Sequence, residues 1–336
     1  MSYLSVGDMA QTFLLRQHSA QMKTNLNRLT QELSSGRISD VAKSVAGDFS
    51  PLASIDHSLS TLKAYNTTAR EAAGFVQAVQ DTLDQAQNLS DDLAPALIMA
   101  GNSGHAALLV NTAADARQKF DALVSALNTR VGGRSLLAGT ATDQLPLANP
   151  QTIISSLQVT ISGQTTAAGI EAAVNSWFDT PGGGFDTVAY QGSTTPLAPF
   201  RISDGQQTDA GITAGDPALR ELIKGFALAV LASDGVLSGK PEEQRMLLRK
   251  AGEHILSSQH GLSELRAHIG ASQAGIETAI SRNESEAASL EIARNSLLSA
   301  DPYKTAGELE AVRGNLEMLY TLTARISRLS LANYLG

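Results

Sequence analysis

Apolar residues recur at helical spacing at both ends of the chain. Near the start, Met22, Leu26, Leu29 and Leu33 step by four, three and four, and Leu15 lies seven before Met22. That stripe predicts an amphipathic helix from about Asp8 to Ser34. Asp8 is its candidate N-cap. Gly36 is its candidate C-cap, because glycine takes the left-handed conformation that ends helices at little steric cost. At the other end, Leu309, Val312, Leu316, Leu319, Thr323, Ile326 and Ser330 alternate steps of three and four, which is a heptad seam. Asp301-Pro302 opens that helix with an N-cap and a proline at the first helical position. Arg313 and Glu317 are expected on its opposite face. A helix from 302 to 333 is about 48 Å long at ~1.5 Å per residue and cannot bury its stripe alone. Its burial is therefore expected only against partners.

Between the ends the periodicity changes. Residues 52–130 are rich in Ala, Leu and Gln, with Phe75, Val79 and Leu83 four apart. Pro95 and the Gly101–Gly104 region are expected to break that run into two helices. Asp216-Pro217 caps a helix to about Ala232, and Pro241-Glu242-Glu243 opens a longer one carrying Leu262, Leu265, Ile269, Ser272 and Ile276. In the middle, Leu157, Val159 and Ile161 alternate with Gln158 and Thr160, the period of a half-buried strand. Val188–Tyr190 and Phe200–Ile202 are further strand candidates, and Ile170, Val174 and Trp177 have the spacing of a short helix. The predicted fold is mainly α: a long antiparallel helical bundle with terminal coiled-coil helices and a small β-rich inserted domain. The expected division is 1–40 with 300–336, 41–144 with 213–299, and 145–212.

Composition sharpens the insert. Five of the ten prolines fall between 146 and 200, with Gly182, Gly183 and Gly184 in a row and only Glu171, Asp179 and Asp186 charged. Over the whole chain, charged residues are 17%, against about 25% in ordinary globular proteins. Aromatics are 4%, so the core must be Ala, Leu, Ile and Val, which favours thin, closely packed helices. With 25 basic and 33 acidic side chains the net charge is −8, which argues against a nucleic-acid partner. The absence of cysteine excludes disulfides, thiolate metal sites and cysteine catalysis. No apolar run approaches the ~18 residues of a membrane span, so no membrane partner is expected. Met1–Ala20 has neither a basic leader nor an apolar run of signal-peptide length, which by the simple rule predicts a cytoplasmic protein.

Chemistry-bearing patterns are missing. His254, His260 and His268 are six and eight apart, unlike the i, i+4 pair of a helical zinc site. Glu264 and His268 have that spacing but read as a solvated helix-face pair. There is no Gly-x-Ser-x-Gly elbow, Walker loop or dinucleotide fingerprint. No catalytic residue, cofactor or metal is expected. An apolar stripe is most often an ordinary core seam. Here both stripes lie at the ends of the chain, where two helices can pair with each other and with neighbouring copies.

The run Leu33-Ser34-Ser35-Gly36-Arg37-Ile38 after an amphipathic helix resembles the flagellin superfamily, as does the order of helical ends, bundle and insert. Within it, Gly133-Arg134-Ser135-Leu136-Leu137-Ala138-Gly139 and the tail Leu329-Ser330-Leu331-Ala332-Asn333-Tyr334-Leu335 resemble the hook–filament junction type. The segment Gly47-Asp48-Phe49-Ser50-Pro51 departs from the family's usual turn, and no innate-receptor motif is found near Gln87–Leu93. The resemblance implies a secreted structural subunit of the bacterial flagellum at the hook–filament junction, exported by the type III pathway without a cleaved leader. Implied partners are further copies of itself, a hook-side hook-associated protein, flagellin, and an export chaperone for the C-terminal helix. The alternatives are a flagellin of the filament body and, from another class, a helical enzyme or signalling rod with a ligand-binding β domain.

Overall fold

The computed structural model describes residues 6–45 and 47–335, with side chains at 10, 12–42, 44–45 and 47–326. Its long helices are α1 (Val6–Ser35), α3 (Ser50–Asn102), α4 (Ala106–Leu127), α7 (Pro217–Ser233), α8 (Pro241–Leu298) and α9 (Pro302–Leu335), with a single turn α2 (Val41–Ser44) after α1. The described residues divide into two units, Met1–Thr61 with Ser285–Gly336, and Leu62–Glu284; α3 and α8 contribute to both. The fold is mainly α, as the periodicity predicts.

Most helix boundaries follow the local signals. Asp216 accepts from the Ala218 N–H at 3.0 Å and Pro217 starts α7. Asp301 accepts from the N–H groups of Tyr303 and Lys304. Gly36 ends α1 at φ +67°. Two expectations fail. Asp8 lies inside α1 rather than at its start. Pro95 does not break α3, because it sits on an exposed face, where water can take the Asp91 carbonyl that its missing N–H would have met. The break falls after Asn102, in the glycine-bearing stretch.

In the unit Leu62–Glu284, α3 and α8 run antiparallel in heptad register. Gln259 donates to Asp91 at 2.7 Å, Arg266 to Asp84 at 2.7 Å and Gln273 to Gln77 at 2.9 Å, so both helices advance seven residues per rung. Leu262, Ile269 and Ile276, also seven apart, are fully buried beside this ladder. Small residues let the helices close up: a Cβ on Gly252 would stand 2.8 Å from Ile98 Cγ1. Helix α7 is buried on nearly every side from Leu222 to Ala232 and packs on α4.

The segment 145–212 departs most from expectation. Residues 157–161 form no strand: Leu157 and Val159 lie in helix α5 (Pro150–Thr160), with Ile161 its C-cap. Asn149 caps α5 by accepting from the Gln151 N–H at 2.9 Å, and Pro150 fills its first turn. Ile153, Ile154, Leu157 and Ile161 share its buried face, while Val159 is 77% exposed, so the helical period overrides the alternation. Helix α6 (Ala167–Asp179) is as expected. Residues 185–189 form a π-helical turn rather than a strand, and Tyr190 makes one bridge to Leu147. Two antiparallel hairpins complete the unit: β1 (Arg130–Val131) with β2 (Arg134–Ser135), and β3 (Phe200–Ser203) with β4 (Gln206–Thr208). The segment is thus two helices, a π-turn and one hairpin rather than β-rich. Its apolar side chains belong to the same core as α4 and α7.

Candidate assembly interface

Helices α1 and α9 pack together, antiparallel. The loop after α1 fixes their meeting. Gly36 at φ +67° turns the chain so that Ile38 N–H donates to Leu298 O and Ala300 N–H donates to Gly36 O, both at 3.0 Å. Arg37 bridges Ser299 in the same crossing. Glu32, 4% exposed, accepts from Arg28 at 2.9 and 3.0 Å and from the Ser39 N–H at 3.0 Å. Further along, Lys23 Nζ stands 5.8 Å from the centre of the Tyr320 ring.

The residues expected to form the seam line this pairing unequally. Leu29 and Leu316 are buried within the chain itself, so partners are not needed for all of the stripe. Leu15, Met22, Leu26, Leu309, Val312, Leu319 and Ile326 are half-buried, and Leu33 is exposed. A groove of about 290 Å³ remains between the helices, lined by Leu26, Thr30, Leu309, Arg313, Leu316 and Glu317. Arg313 and Glu317 therefore edge the seam rather than occupy the far face. Sequence reasoning missed Phe13, Leu14, Met318 and Leu322, which are apolar, off the seam and at least half exposed. Their signal was an apolar residue falling outside the heptad stripe.

Of the other singled-out positions, Ser34, Ser35 and Ile38 flank the Gly36 turn. Gly133 supplies a left-handed turn residue at φ +81°, and Arg134 is exposed in β2. Ala138 is buried, and a Cβ on Gly139 would meet Thr195 O at 2.5 Å, so the Gly-Arg segment ends on a close backbone approach. The side chains of Leu329, Ser330, Leu331, Asn333, Tyr334 and Leu335 lie outside the described residues. Glu264 pairs with His260 at 3.2 Å, both exposed, rather than with His268. Among the described residues no group of three or more His, Cys, Asp or Glu could hold a metal ion. No helix among them is long and apolar enough to cross a membrane.

The arrangement defines a mainly α, flagellin-like fold. Residues 9–142 match the family model for the bacterial flagellin N-terminal helical region, a stretch that includes the Gly36 turn and the Gly-Arg segment. Among solved structures the fold is similar to the crystal structure of FlgL from Bacillus cereus, at 16% identity and a TM-score of 0.52, over 72% of this chain and 100% of that one. A provisionally assigned flagellar hook-associated protein from Vibrio parahaemolyticus matches at 11% identity and a TM-score of 0.47, over 73% and 95% of the two chains. No curated protein matches the sequence.

Proposed function

We propose that the protein is a structural subunit that joins hook to filament in the bacterial flagellum. The observation that carries this reading is the terminal helix pair. After α1 and α9 have packed together, Phe13, Leu14, Met318 and Leu322 still present apolar surface to solvent. A lone subunit gains nothing from that exposure, whereas neighbouring copies would cover it. The Gly133–Gly139 segment and the Leu329–Leu335 tail, by their sequence, support the junction type over a flagellin of the filament body.

In this reading 1–40 and 300–336 make the inner coiled-coil layer, 41–144 and 213–299 the bundle, and 145–212 the outward segment. The partners are copies of itself, a hook-side hook-associated protein and flagellin. An export chaperone covers the C-terminal helix before type III export. Immunogold labelling of intact flagella tests the reading. A single band at the hook end is expected; label along the filament would make the protein a flagellin instead.

A further inference from the structure

A charge cluster in the unit Leu62–Glu284 has no part in the terminal helix pair. His254 of α8 lies between two carboxylates. Its Nδ1 is 2.5 Å from Glu221 Oε1 on α7, and its Nε2 is 3.0 Å from Glu171 Oε1 on α6. The second oxygen of Glu221 meets Lys224 Nζ at 2.8 Å, and the same ammonium reaches Asp179, the last residue of α6, at 2.8 Å. Lys224 is 3% exposed, and the His254 and Glu171 side chains are mostly buried. From α8 itself, Lys250 acts on Glu171 through space and pairs with Glu253 at 3.2 Å, which Arg249 approaches at 3.9 Å.

A carboxylate only accepts hydrogen bonds. Both imidazole nitrogens must therefore donate for the bridge to be complete, and a neutral ring has a single N–H. Loss of the proton sets a ring lone pair against a carboxylate oxygen and takes a positive charge from between Glu171 and Glu221, leaving Lys224 on Asp179 and Glu221 and Lys250 acting on Glu171 through space. We propose that the Glu171–His254–Glu221 bridge is a proton-dependent latch, holding α6 against α7 and α8 while His254 is doubly protonated and slackening in alkali.

The hydrogen bond to Glu221 raises the His254 pKa above 6.5, overcoming burial. Burial pushes the Glu221 carboxyl up, but bonds from His254 and Lys224 outweigh it and bring it to about 2. A raised histidine contributes fully below its ordinary value of 6.5, and that contribution fades as pH climbs through the raised value. The depressed carboxyl contributes fully above 4.5, and that contribution fades as pH falls toward about 2. The latch is whole between 4.5 and 6.5. Two ties on α6 do not depend on His254: Glu243 accepts from the Ala167 N–H at 2.7 Å, and Arg220 donates to Phe178 O at 3.1 Å. Opening therefore loosens α6 without detaching it.

The test is amide hydrogen exchange of the full chain across about pH 6 to 9, corrected for intrinsic base catalysis, with the imidazole titration followed by NMR. The protection of α6 should fall by up to about tenfold per pH unit between the ordinary and raised histidine values, then level off. Protection of α3 around Val79–Leu93 should keep a constant value. His254→Gln should abolish the pH slope. Glu171→Gln, which keeps the Glu221 bond, should make it shallower and lower the His254 pKa. A slope that persists in His254→Gln overturns the latch. So does α6 protection that ignores the His254 titration, or a His254 that titrates at or below 6.5. Should His254→Gln lose its helical circular dichroism, Glu171→Gln decides: an unchanged slope there overturns the latch equally.

Discussion

Gly225 on α7 shows what a single missing methyl does in a core poor in aromatics. A Cβ there would stand 2.6 Å from Ile255 Cγ1 and 3.0 Å from Ile255 N, so α7 and α8 approach too closely for any side chain. Alanine would gain up to ~1 kcal/mol of helix propensity, yet overpacking costs about 1–3 kcal/mol. Gly225→Ala should therefore destabilise, by up to about 2 kcal/mol net. Gly270 on α8 has nothing within 4 Å of the same position, so Gly270→Ala should stabilise by about 0.5–1 kcal/mol. Trp177, the only tryptophan and 6% exposed, reports both changes through its fluorescence in urea. Midpoints that move the same way would contradict the close approach of these helices. Thin helices were legible in the composition, but the choice of contact glycine was not, because spacing does not distinguish a glycine facing a helix from one facing water. The bridge His254 makes was not legible for a related reason. Its partners come from 33 and 83 residues away, and no local pattern joins them.

At the scale of elements, caps and heptads read well and short segments read badly. The 3–4 steps from Leu262 through Leu265, Ile269 and Ser272 to Ile276 mark the α3–α8 seam, and three rungs at seven-residue intervals pin its register. Helix α5 shows the failure. Leu157, Val159 and Ile161 alternate like a strand, yet the residues that decide are upstream, in the Asn149-Pro150 start and the Ile153-Ile154 pair. Five residues fit either period; eleven do not. If the cap sets this helix, Asn149→Ala should cost about 1 kcal/mol, since the Gln151 N–H loses its acceptor. The Trp177 indole donates to Ser156 of α5 at 3.2 Å, so its emission should shift red as the helix loosens. An unaltered stability and spectrum would mean that core burial alone selects helix here. The pairing of α1 with α9 was legible as two complementary stripes. Its extent was not, because a heptad pattern cannot say that only Leu29 and Leu316 close fully.

For the whole molecule, the division into two units lets the seam and the surface beyond it be separated by experiment. Leu316 is 9% exposed between α1 and α9, whereas Met318, two residues on, is 68% exposed. Leu316→Asp places a carboxylate in that seam, at an effective cost of several kcal/mol. Its partner helix then loses much of its anchor, so circular dichroism should show an early loss of helix on heating. Trp177 belongs to the unit Leu62–Glu284, and its fluorescence midpoint should stay where it was. Two probes with different midpoints are the mark of units that do not melt as one. Met318→Asp should leave both signals unchanged, because its side chain already meets water. If the exposed apolar side chains are where neighbouring copies pack, however, Met318→Asp should block polymerisation as firmly as Leu316→Asp does, and cells carrying it should shed flagellin into the medium. Normal filaments on Met318→Asp cells would remove Met318 from the assembly surface. A Leu316→Asp subunit with an unshifted melt would show that the α1–α9 seam contributes nothing to the free subunit.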